Sequence, residues 1–212
     1  MISVLITDDH PVVRRGIRQI LEDDERIGVV HEACDGKELF EKLNKQIYDV
    51  ILLDISLPGR SGLDLIGQIK KTQSSAAVLI LSIHSEEIYA IKALKAGAAG
   101  YLTKTSAPEE LISAINKVSK GERYISVSLA ESLAESLISD SKIPLHQLLS
   151  SRELEVLQLL SEGRKVVQIA SELSLSPKTI STYRERLLEK LKLKTTADLI
   201  RYAIMEGIVG EK

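Results

Sequence analysis

Five polar residues stand at the ends of short apolar runs in the first half of the chain. Asp8 and Asp9 follow ISVLIT, Asp54 ends DVILLD, Ser82 ends AAVLILS and Lys104 follows GYLT. Clustered carboxylates repel one another unless a cation lies between them, and Mg²⁺ prefers such oxygen ligands. A lysine can bring a point charge to a phosphate group, and a serine can donate a hydrogen bond to one. If these residues meet in space, they could hold a divalent cation beside a phosphate group.

Asp54 taken alone has a simpler explanation. Ser56, Pro58 and Gly59 follow it closely, and aspartate, proline and glycine all favour turns. A turn cap would account for Asp54 but not for the other polar residues at the ends of apolar runs.

The apolar runs alternate with amphipathic stretches, a pattern typical of a parallel sheet covered by helices on both faces. The predicted strands are 2–7, 27–33, 49–54, 76–82 and 100–103, and helices are predicted to begin near Pro11, Lys37, Gly62, Glu86 and Pro108. Crossovers should be right-handed, and binding sites in such sheets form beyond the carboxyl ends of the strands. The polar residues should therefore converge on one edge of the sheet, which a turn cap does not explain.

The composition is that of a globular protein. The chain has 212 residues, is 44% hydrophobic and 27% charged, and has a net charge of −2, which suits one large domain or two small ones. No apolar run approaches the ~20 residues of a spanning helix, and the N-terminus lacks the pattern of a signal peptide, so we expect a cytoplasmic protein without a membrane partner. The single cysteine, Cys34, fits a reducing compartment and is predicted to be a small core residue. The four histidines show no metal-ligand spacing, so no zinc site is predicted.

Residues 1 to about 120 resemble the receiver domain of bacterial two-component response regulators. The resemblance rests on the Asp8-Asp9 pair, on LLDISLPGRSGLDL around Asp54, on ILS ending at Ser82 and on AGAAGYLTK ending at Lys104. It implies an α/β fold, a (βα)5 doubly wound parallel sheet with strand order 2-1-3-4-5, in a receiver domain at 1–121. It also implies that Asp54 accepts a phosphoryl group from a histidine kinase.

The same resemblance implies roles for the other residues. Ser82 and Lys104 would contact the phosphoryl group, and Ser82 and Tyr101 match the pair that re-orients when phosphate arrives. Phosphoryl transfer needs little beyond in-line positioning and charge stabilisation, and this set can supply both. The residues implied to hold Mg²⁺ are Asp8 (through water), Asp9, Asp54 and the backbone carbonyl of Ser56.

Residues 147–212 carry helix signals and almost no strand signal. Their net charge is +2, against −4 for the preceding residues, which suggests two modules with different partners. Ser150 and Glu153 fit a capping box ahead of the first helix. Ser176 is the predicted N-cap of a long third helix at 177–191. The second and fourth helices are predicted at 166–173 and about 195–206.

The third helix has two faces. Its apolar residues can face a core, and its basic and hydroxyl residues mostly face outward; on charge alone, a solvated amphipathic helix explains it equally well. A short helix, a tight turn and a longer helix with a basic start form the helix-turn-helix pattern. LSSRELEVLQLLSEGRKVVQIASELSLSPKTISTYRERLLEKLKLKT resembles the LuxR-type helix-turn-helix of NarL/FixJ response regulators. Val166-Val167 and Tyr183 depart from the common pattern, which leaves the base sequence read open.

This resemblance implies a DNA-binding domain at 147–212 with 177–191 as the recognition helix. Bases would be met near the helix start, and more distant cations would contact phosphates. Small helix-turn-helix domains usually bind as dimers on half-sites about 34–36 Å apart, so a homodimer is expected when the chain is phosphorylated. The predicted DNA contacts are Lys165, Lys178, Thr179, Ser181, Thr182, Arg184 and Arg186, and the predicted dimer contacts are Leu199, Ile200, Ala203 and Ile204.

Residues 122–146 are predicted to be a partly helical linker. Leu129, Leu133 and Leu137 are four apart and share one helix face. A linker helix resting on a neighbouring domain is the simplest explanation. A dimerisation stripe is the alternative, although three leucines form only a short seam.

Together these motifs predict a phosphorylation-controlled, DNA-binding transcriptional regulator rather than an enzyme. An aspartyl-nucleophile phosphatase is one alternative, but it commonly has a second acid two residues after the nucleophile, where this chain has Ser56. A pseudo-receiver that ignores phosphate is another. It would be expected to lack one of the four charged residues Asp8, Asp9, Asp54 and Lys104, which are all present.

Overall fold

The computed structural model describes residues 1–83, 86–131 and 144–208, except for the side chain of Glu87. The chain divides into two compact units, Met1–Ser139 and Asp140–Lys212. No helix among the described residues is both long enough and apolar enough to cross a membrane.

The first unit is a five-stranded parallel sheet with the order β2-β1-β3-β4-β5, which confirms the predicted fold and strand order. Its strands are β1 (Ile2–Thr7), β2 (Ile27–Ala33), β3 (Val50–Asp54), β4 (Ala77–Ser82) and β5 (Gly100–Thr103). Its helices are α1 (Pro11–Glu22), α2 (Gly36–Leu43), α3 (Gly62–Thr72), α4 (Glu86–Ala96) and α5 (Pro108–Val118). The predicted strands and the predicted starts of the helices agree with these bounds to within one residue.

The register brings the carboxyl ends of the central strands to one edge. Thr7 of β1 pairs with Leu53 of β3, and Asp54 pairs with Leu81 of β4. Every residue of β3 and β4 is buried, because helices cover both faces of the middle of the sheet. The apolar runs therefore form the core, and the polar residues that follow them lie at the same edge.

The core of one sheet face shows how the strands are held. Alternate residues of a strand point to one side, so Val4 and Ile6 of β1 share a buried apolar cluster with Val50 and Leu52 of β3. Helices α1 and α5 close this cluster with Ile17, Leu21, Leu111, Ala114, Ile115 and Val118.

Cys34 is exposed, so the prediction that it is a core residue is wrong. It lies just after β2, an edge strand, and the chain turns there into α2. The Cys34 amide donates a hydrogen bond of 2.8 Å to the Glu38 carboxylate. The Glu38 contact, reinforced by burial, raises the pKa of the Cys34 thiol above its ordinary value. A small apolar residue beside an edge strand can be exposed, because no neighbouring strand covers it on that side.

The first part of the predicted linker lies against the sheet. Tyr124 forms a parallel bridge with Gly100 at the edge strand β5, and a helical stretch begins at 127. Leu129 is buried. The rest of the predicted leucine stripe, Leu133 and Leu137, lies outside the described residues.

The second unit is helical. A 3-10 turn (Leu145–Leu148) precedes α6 (Ser151–Ser161), α7 (Val166–Glu172), α8 (Pro177–Leu191) and α9 (Thr196–Met205). Ser150 and Glu153 form the predicted capping box, and the Ser176 hydroxyl caps α8 by accepting from the Thr179 amide. The apolar face of α8 is buried at Ile180, Leu187 and Leu191 and half-buried at Leu188.

Two of the four predicted dimer contacts lie in the core of the second unit. Leu199 and Ala203 are completely buried, so they cannot contact another molecule in this fold. They are packed inward because α9 lies against α6 and α8. Ile200 is half-buried and Ile204 is 62% exposed, so an external apolar surface on α9 remains at these positions.

Gly62, the first residue of α3, lies against the end of β3. Its amide donates a hydrogen bond of 2.7 Å to the Ile55 carbonyl. A Cβ atom at Gly62 would lie only 1.9 Å from the Asp54 carbonyl oxygen and 3.2 Å from the Ile55 Cα atom. Only glycine therefore lets α3 begin this close to Asp54.

Gly62→Ala should destabilise the first unit by about 3 kcal/mol, because the backbone must move to admit the methyl group. Gly67, in the middle of the same helix, has nothing within 4 Å of the position that a methyl group would take there. Gly67→Ala is the matched control, and it should instead stabilise the unit by about 1 kcal/mol through helix propensity. Urea unfolding followed by circular dichroism measures both changes, and equal effects would contradict the backbone contact.

Candidate functional site

The predicted charged residues meet at the edge of the sheet. The Lys104 ammonium lies 2.6 Å from Asp8 Oδ2 and 2.7 Å from Asp54 Oδ2. Both aspartate side chains are only 2% exposed, and that of Lys104 is 10% exposed. Two buried carboxylates thus contact one cation, because the carboxyl ends of β1, β3 and β5 lie at the same edge of the sheet.

Four side chains at this edge could together hold a metal ion. One ligand atom from each of Asp8, Asp9, His10 and Asp54 lies within 4.8 Å of the others. Three carboxylates and one ammonium leave two negative charges uncompensated when all are ionised, which matches a divalent cation. Carboxylate oxygens are the ligands that hard divalent cations prefer. The donor set therefore fits such an ion.

His10 also lies at the site, although it was not among the residues predicted from the sequence. Its Nδ1 lies 2.7 Å from Asp9 Oδ1 and 3.2 Å from Asp8 Oδ1, and its backbone amide donates to Asp8 Oδ1 at 2.8 Å. The side chain is 62% exposed. Its position directly after the acid pair was the available signal, but a search for metal-ligand spacing among histidines alone could not detect it.

Arg14 holds the acid pair from outside the cluster. Its guanidinium donates a hydrogen bond of 2.7 Å to the Asp8 backbone carbonyl and pairs with the Glu32 carboxylate of β2. The first turn of α1 is thereby tied to the end of β1, and Asp8 and Asp9 are oriented toward the site.

The pKa values of Asp54 and Lys104 are shifted by burial and by their charged neighbours. Burial raises the pKa of the Asp54 carboxyl above its ordinary value, while the Lys104 ammonium opposes the rise and the Asp8 carboxylate adds to it. Burial would lower the pKa of Lys104, but the Asp54 and Asp8 carboxylates outweigh it and raise that pKa. Lys104 therefore stays charged at neutral pH and compensates for part of the carboxylate charge.

Ser82 and Tyr101 are both completely buried. Ser82 ends β4, Tyr101 lies on β5, and their hydroxyl groups share a hydrogen bond. Burial, more than any neighbouring charge, raises the pKa of the Tyr101 hydroxyl. The resemblance implied that this pair re-orients when phosphate arrives, and in this structure Tyr101 faces inward, onto Ser82.

Ser56 contacts Asp54 through its backbone. The Ser56 amide donates a hydrogen bond of 3.2 Å to Asp54 Oδ1. This contact orients the carboxylate whose other oxygen faces Lys104. The prediction that the Ser56 carbonyl binds a cation stays a prediction.

A second candidate site lies at the start of α8. A concave surface of about 280 Å³ is lined by Ser176, Lys178, Thr179, Thr182, Tyr183 and Arg186. Lys178, Thr182 and Arg186 are four residues apart and share one helix face. The hydroxyl groups of Ser181 and Thr182 donate to carbonyls one turn earlier at 3.1 Å. Two cations and several hydroxyl groups around one hollow suit a phosphate-bearing ligand.

The other predicted DNA contacts lie outside this hollow. Lys165 is exposed at the start of α7, where its amide donates to Gln168 Oε1 at 2.8 Å. Ser181 and Arg184 are half-buried, and Arg184 Nε is shielded from solvent without a hydrogen-bond acceptor among the described atoms.

Family models match both units. Residues 4–116 match the response regulator receiver domain, and residues 147–203 match the luxR family of bacterial regulatory proteins. The response regulator UvrY of Escherichia coli is 40% identical over 210 residues, which cover 98% of this chain and 96% of UvrY. The response regulator GacA of Pseudomonas aeruginosa is 36% identical over 99% of this chain and 98% of its own length.

Solved structures of response regulators are also similar to this chain. RcsB of Salmonella enterica serovar Typhimurium, bound to the promoter rprA with the phosphomimetic BeF3⁻, is 32% identical. The match covers 95% of this chain and 97% of that chain, with a TM-score of 0.66. A LuxR-family response regulator from Aurantimonas is 34% identical over 66% of this chain and 99% of its own, with a TM-score of 0.61.

Lys104→Met should destabilise the first unit by about 3 kcal/mol at pH 7.5, because it leaves two buried carboxylates without their cation. The folded-state pKa of Asp54 is already raised, so its contribution to stability is present below the unfolded pKa and is lost as pH rises through the folded value. Removing Lys104 raises that pKa further, so the deficit should shrink at pH 5.

Chemical denaturation at both pH values measures the difference between variant and wild type. Lys71→Met, at an exposed lysine of α3, is the control and should change stability by less than about 0.5 kcal/mol. A Lys104→Met deficit that stayed constant between pH 5 and 7.5 would contradict the charge argument.

Proposed function

The chain belongs to the response regulator family of the NarL/FixJ type, with a receiver domain and a LuxR-type DNA-binding domain, and on that premise we propose that phosphorylation of Asp54 controls its binding to promoter DNA. The proposed domains are the receiver at 1–121, a linker at 122–146 and the DNA-binding domain at 147–212. The proposed phosphoryl donor is a histidine kinase. The chain then acts as a cytoplasmic transcriptional regulator rather than as an enzyme.

One observation carries the proposal for Asp54. Its carboxylate stands at the tip of the central strand, 2.7 Å from the Lys104 ammonium and within reach of the Asp8 and Asp9 carboxylates. A turn cap needs no such neighbours. A phosphoryl acceptor needs both a cation for the phosphoryl oxygens and a place for a metal ion.

The transfer is a displacement at phosphorus. An Asp54 carboxylate oxygen forms a bond to phosphorus as the bond from phosphorus to the donor's histidine nitrogen breaks. That nitrogen keeps the electron pair, and a proton that the ring already carries on its other nitrogen or takes from solvent leaves the histidine as neutral imidazole. Lys104 and the Ser82 hydroxyl then bind oxygens of the acyl phosphate, and the Ser56 amide keeps the carboxyl group oriented.

The proposed cofactor is Mg²⁺, held by Asp9, Asp54 and the Ser56 carbonyl, with Asp8 bound through water. When bound, the cation would reduce the repulsion between the Asp54 carboxylate and the incoming phosphoryl group. The three carboxylates support this choice, since all are oxygen donors and their excess charge is that of a divalent ion. His10 adjoins the acid pair at the exposed rim and is not assigned as a ligand.

The second unit is proposed to bind DNA through α8. Lys178, Ser181 and Thr182 would meet base edges, with Thr179 beside them. Lys165, Arg184 and Arg186 would contact phosphates. The hollow at the start of α8 supports this assignment, because it gathers Lys178, Thr182 and Arg186 around a space open to a ligand.

The phosphorylated chain is proposed to bind as a homodimer. One solved relative is described as two RcsB dimers bound to two parallel DNAs. In this chain Ile204 and Ile200 offer the apolar surface of α9, since Leu199 and Ala203 are used inside the fold. Promoter half-sites about 34–36 Å apart would match such a dimer.

Acetyl phosphate and Mg²⁺ should add the mass of one phosphoryl group to the wild-type chain. Asp54→Asn should add none, because the amide cannot serve as nucleophile. Asp9→Asn should stay folded but lose Mg²⁺-dependent phosphorylation, because it removes one charged ligand. Intact-mass spectrometry measures the mass gain of the wild-type chain and of both variants, and circular dichroism checks that the variants are folded. An equal mass gain in Asp54→Asn would overturn the assignment of the acceptor.

Arg186→Ala should weaken binding to all DNA sequences and lower the slope of log affinity against log salt by about one, the effect of losing one phosphate contact. Lys178→Ala should change which bases are preferred. Fluorescence anisotropy across a salt series and selection from a random library measure the two effects. Lys45→Ala, at an exposed lysine of the receiver, should change neither. A changed base preference in Arg186→Ala with the slope intact would reverse the assignment.

A further inference from the structure

The backbone of the acid pair is held at two points. The Asp8 amide donates a hydrogen bond of 3.2 Å to the carbonyl of Ala33, the last residue of β2. The Asp8 carbonyl accepts a hydrogen bond of 2.7 Å from the Arg14 guanidinium. A peptide group is planar, so the Asp8 carbonyl and the Asp9 amide lie in one plane with both Cα atoms. Arg14 therefore fixes the orientation of the plane that joins the two acids.

Arg14 is itself held by the outer strand of the sheet. Its Nε lies 3.3 Å from Oε2 of Glu32, a residue of β2. The other oxygen of that carboxylate, Oε1, lies 3.2 Å from Nη1 of Arg18. Arg18 also pairs with Glu22, at 2.7 Å between Nε and Oε1. Each oxygen of Glu32 thus holds one arginine of α1, and the carboxylate is fixed on both sides.

This network joins α1 to β2 at a place that is partly shielded from solvent. The side chain of Arg14 is 15% exposed and that of Glu32 is 29% exposed. Arg14 and Arg18 are four residues apart, so they share the face of α1 that packs against β2. Ion pairs that are open to solvent contribute little net stability. The contact of this pair with the backbone of the acids suggests that orientation is its main effect.

We propose that Arg14 and Glu32 are positioning residues for the divalent cation at the acid pair. Arg14 fixes the plane from which the Asp8 and Asp9 side chains leave the backbone, and Glu32 fixes Arg14. Neither residue has to touch the cation. Without them the two acids would have to be ordered when the cation binds, and the lost conformational freedom would weaken binding. This inference rests on the proposed Mg²⁺ site.

The charge of Arg14 gives the test its direction. The guanidinium is bonded to the backbone of a proposed ligand, so its positive charge opposes that of an incoming cation. If charge alone mattered, removing Arg14 would strengthen Mg²⁺ binding. If positioning dominates, removing Arg14 weakens it. The two effects therefore have opposite signs.

The first test is a titration of the unphosphorylated full-length protein with MgCl2, followed by the chemical shifts of backbone amides. Arg14→Met should raise the dissociation constant of Mg²⁺ about tenfold, an effect typical of removing a group that orients a metal ligand. Arg14→Lys keeps the charge but lacks the planar fork that reaches both Glu32 and the Asp8 carbonyl. It should therefore also weaken binding. The same spectra show whether each variant is folded.

Arg15→Met is the matched control. Arg15 is the next residue of α1, is exposed, and has no hydrogen bond or ion pair with Asp8 or Glu32 in the described part of the chain. The change should alter the dissociation constant by less than about twofold, because solvent and salt screen an exposed charge. Equal Mg²⁺ affinities of Arg14→Met and Arg15→Met, or tighter binding by Arg14→Met than by wild type, would refute the positioning role. A wild-type chain that binds no Mg²⁺ would overturn the proposed cofactor, and this inference with it.

The second test asks whether Glu32 acts through Arg14. Glu32→Gln should weaken Mg²⁺ binding by itself, because the charged partner of the guanidinium is lost. Combined with Arg14→Met it should weaken binding little further, since residues that act through one contact have non-additive effects. No effect of Glu32→Gln alone, or full additivity in the double variant, would overturn the role of Glu32.

The third test uses the rate at which acetyl phosphate labels the chain. In Arg14→Met the Mg²⁺ concentration that gives half the maximal rate should rise about tenfold, as the affinity does, and saturating Mg²⁺ should restore most of the rate. A variant that was merely misfolded would be labelled slowly at every Mg²⁺ concentration. If Asp54 were not the acceptor, Asp54→Asn would be labelled too, while the titrations without acetyl phosphate would be unaffected. A labelling rate of Arg14→Met that stayed low at saturating Mg²⁺, in a folded variant, would contradict a role in placing the metal ligands.

Discussion

The placement of one ammonium group between two buried carboxylates is the constraint on which the receiver depends. Asp8 and Asp54 end neighbouring strands and are almost fully buried, so their charges would repel strongly without Lys104 between them. Lys104 compensates for only part of the charge. The remaining negative charge suits a divalent cation at this edge of the sheet. The uncompensated charge that costs stability is also the charge that such a cation would neutralise.

The rest of the receiver serves to hold this edge in place. Parallel pairing of β1, β3 and β4 brings the carboxyl ends of the strands together, and a helix follows each strand to cover the sheet. At Gly62 the next helix begins so close to the Asp54 carbonyl that no side chain fits between them. Arg14 ties the acid pair to α1 through the Asp8 carbonyl. Packing, backbone geometry and charge therefore act on the same residues.

The receiver also buries hydroxyl groups. Ser82 and Tyr101 are buried and bonded to each other, and Ser126 and Ser128 at the start of the linker donate to the Glu86 carboxylate. In the second unit, α8 keeps its apolar face inside and presents Lys178, Thr182 and Arg186 around one hollow.

The sequence by itself determined the elements, their caps and the set of residues at the edge of the sheet. Helix starts such as the Ser150 and Glu153 box depend on atoms three residues apart, and strand ends follow from short apolar runs, so both can be recognised locally. Only the tertiary structure decided which apolar residues remain outside. Cys34 is exposed on an edge, and Leu199 and Ala203 are buried while Ile204 is not, because burial depends on which neighbour packs against each face. The docking of Tyr124 on β5 was decided in the same way, since the chain's path brings these groups together and no local pattern records it.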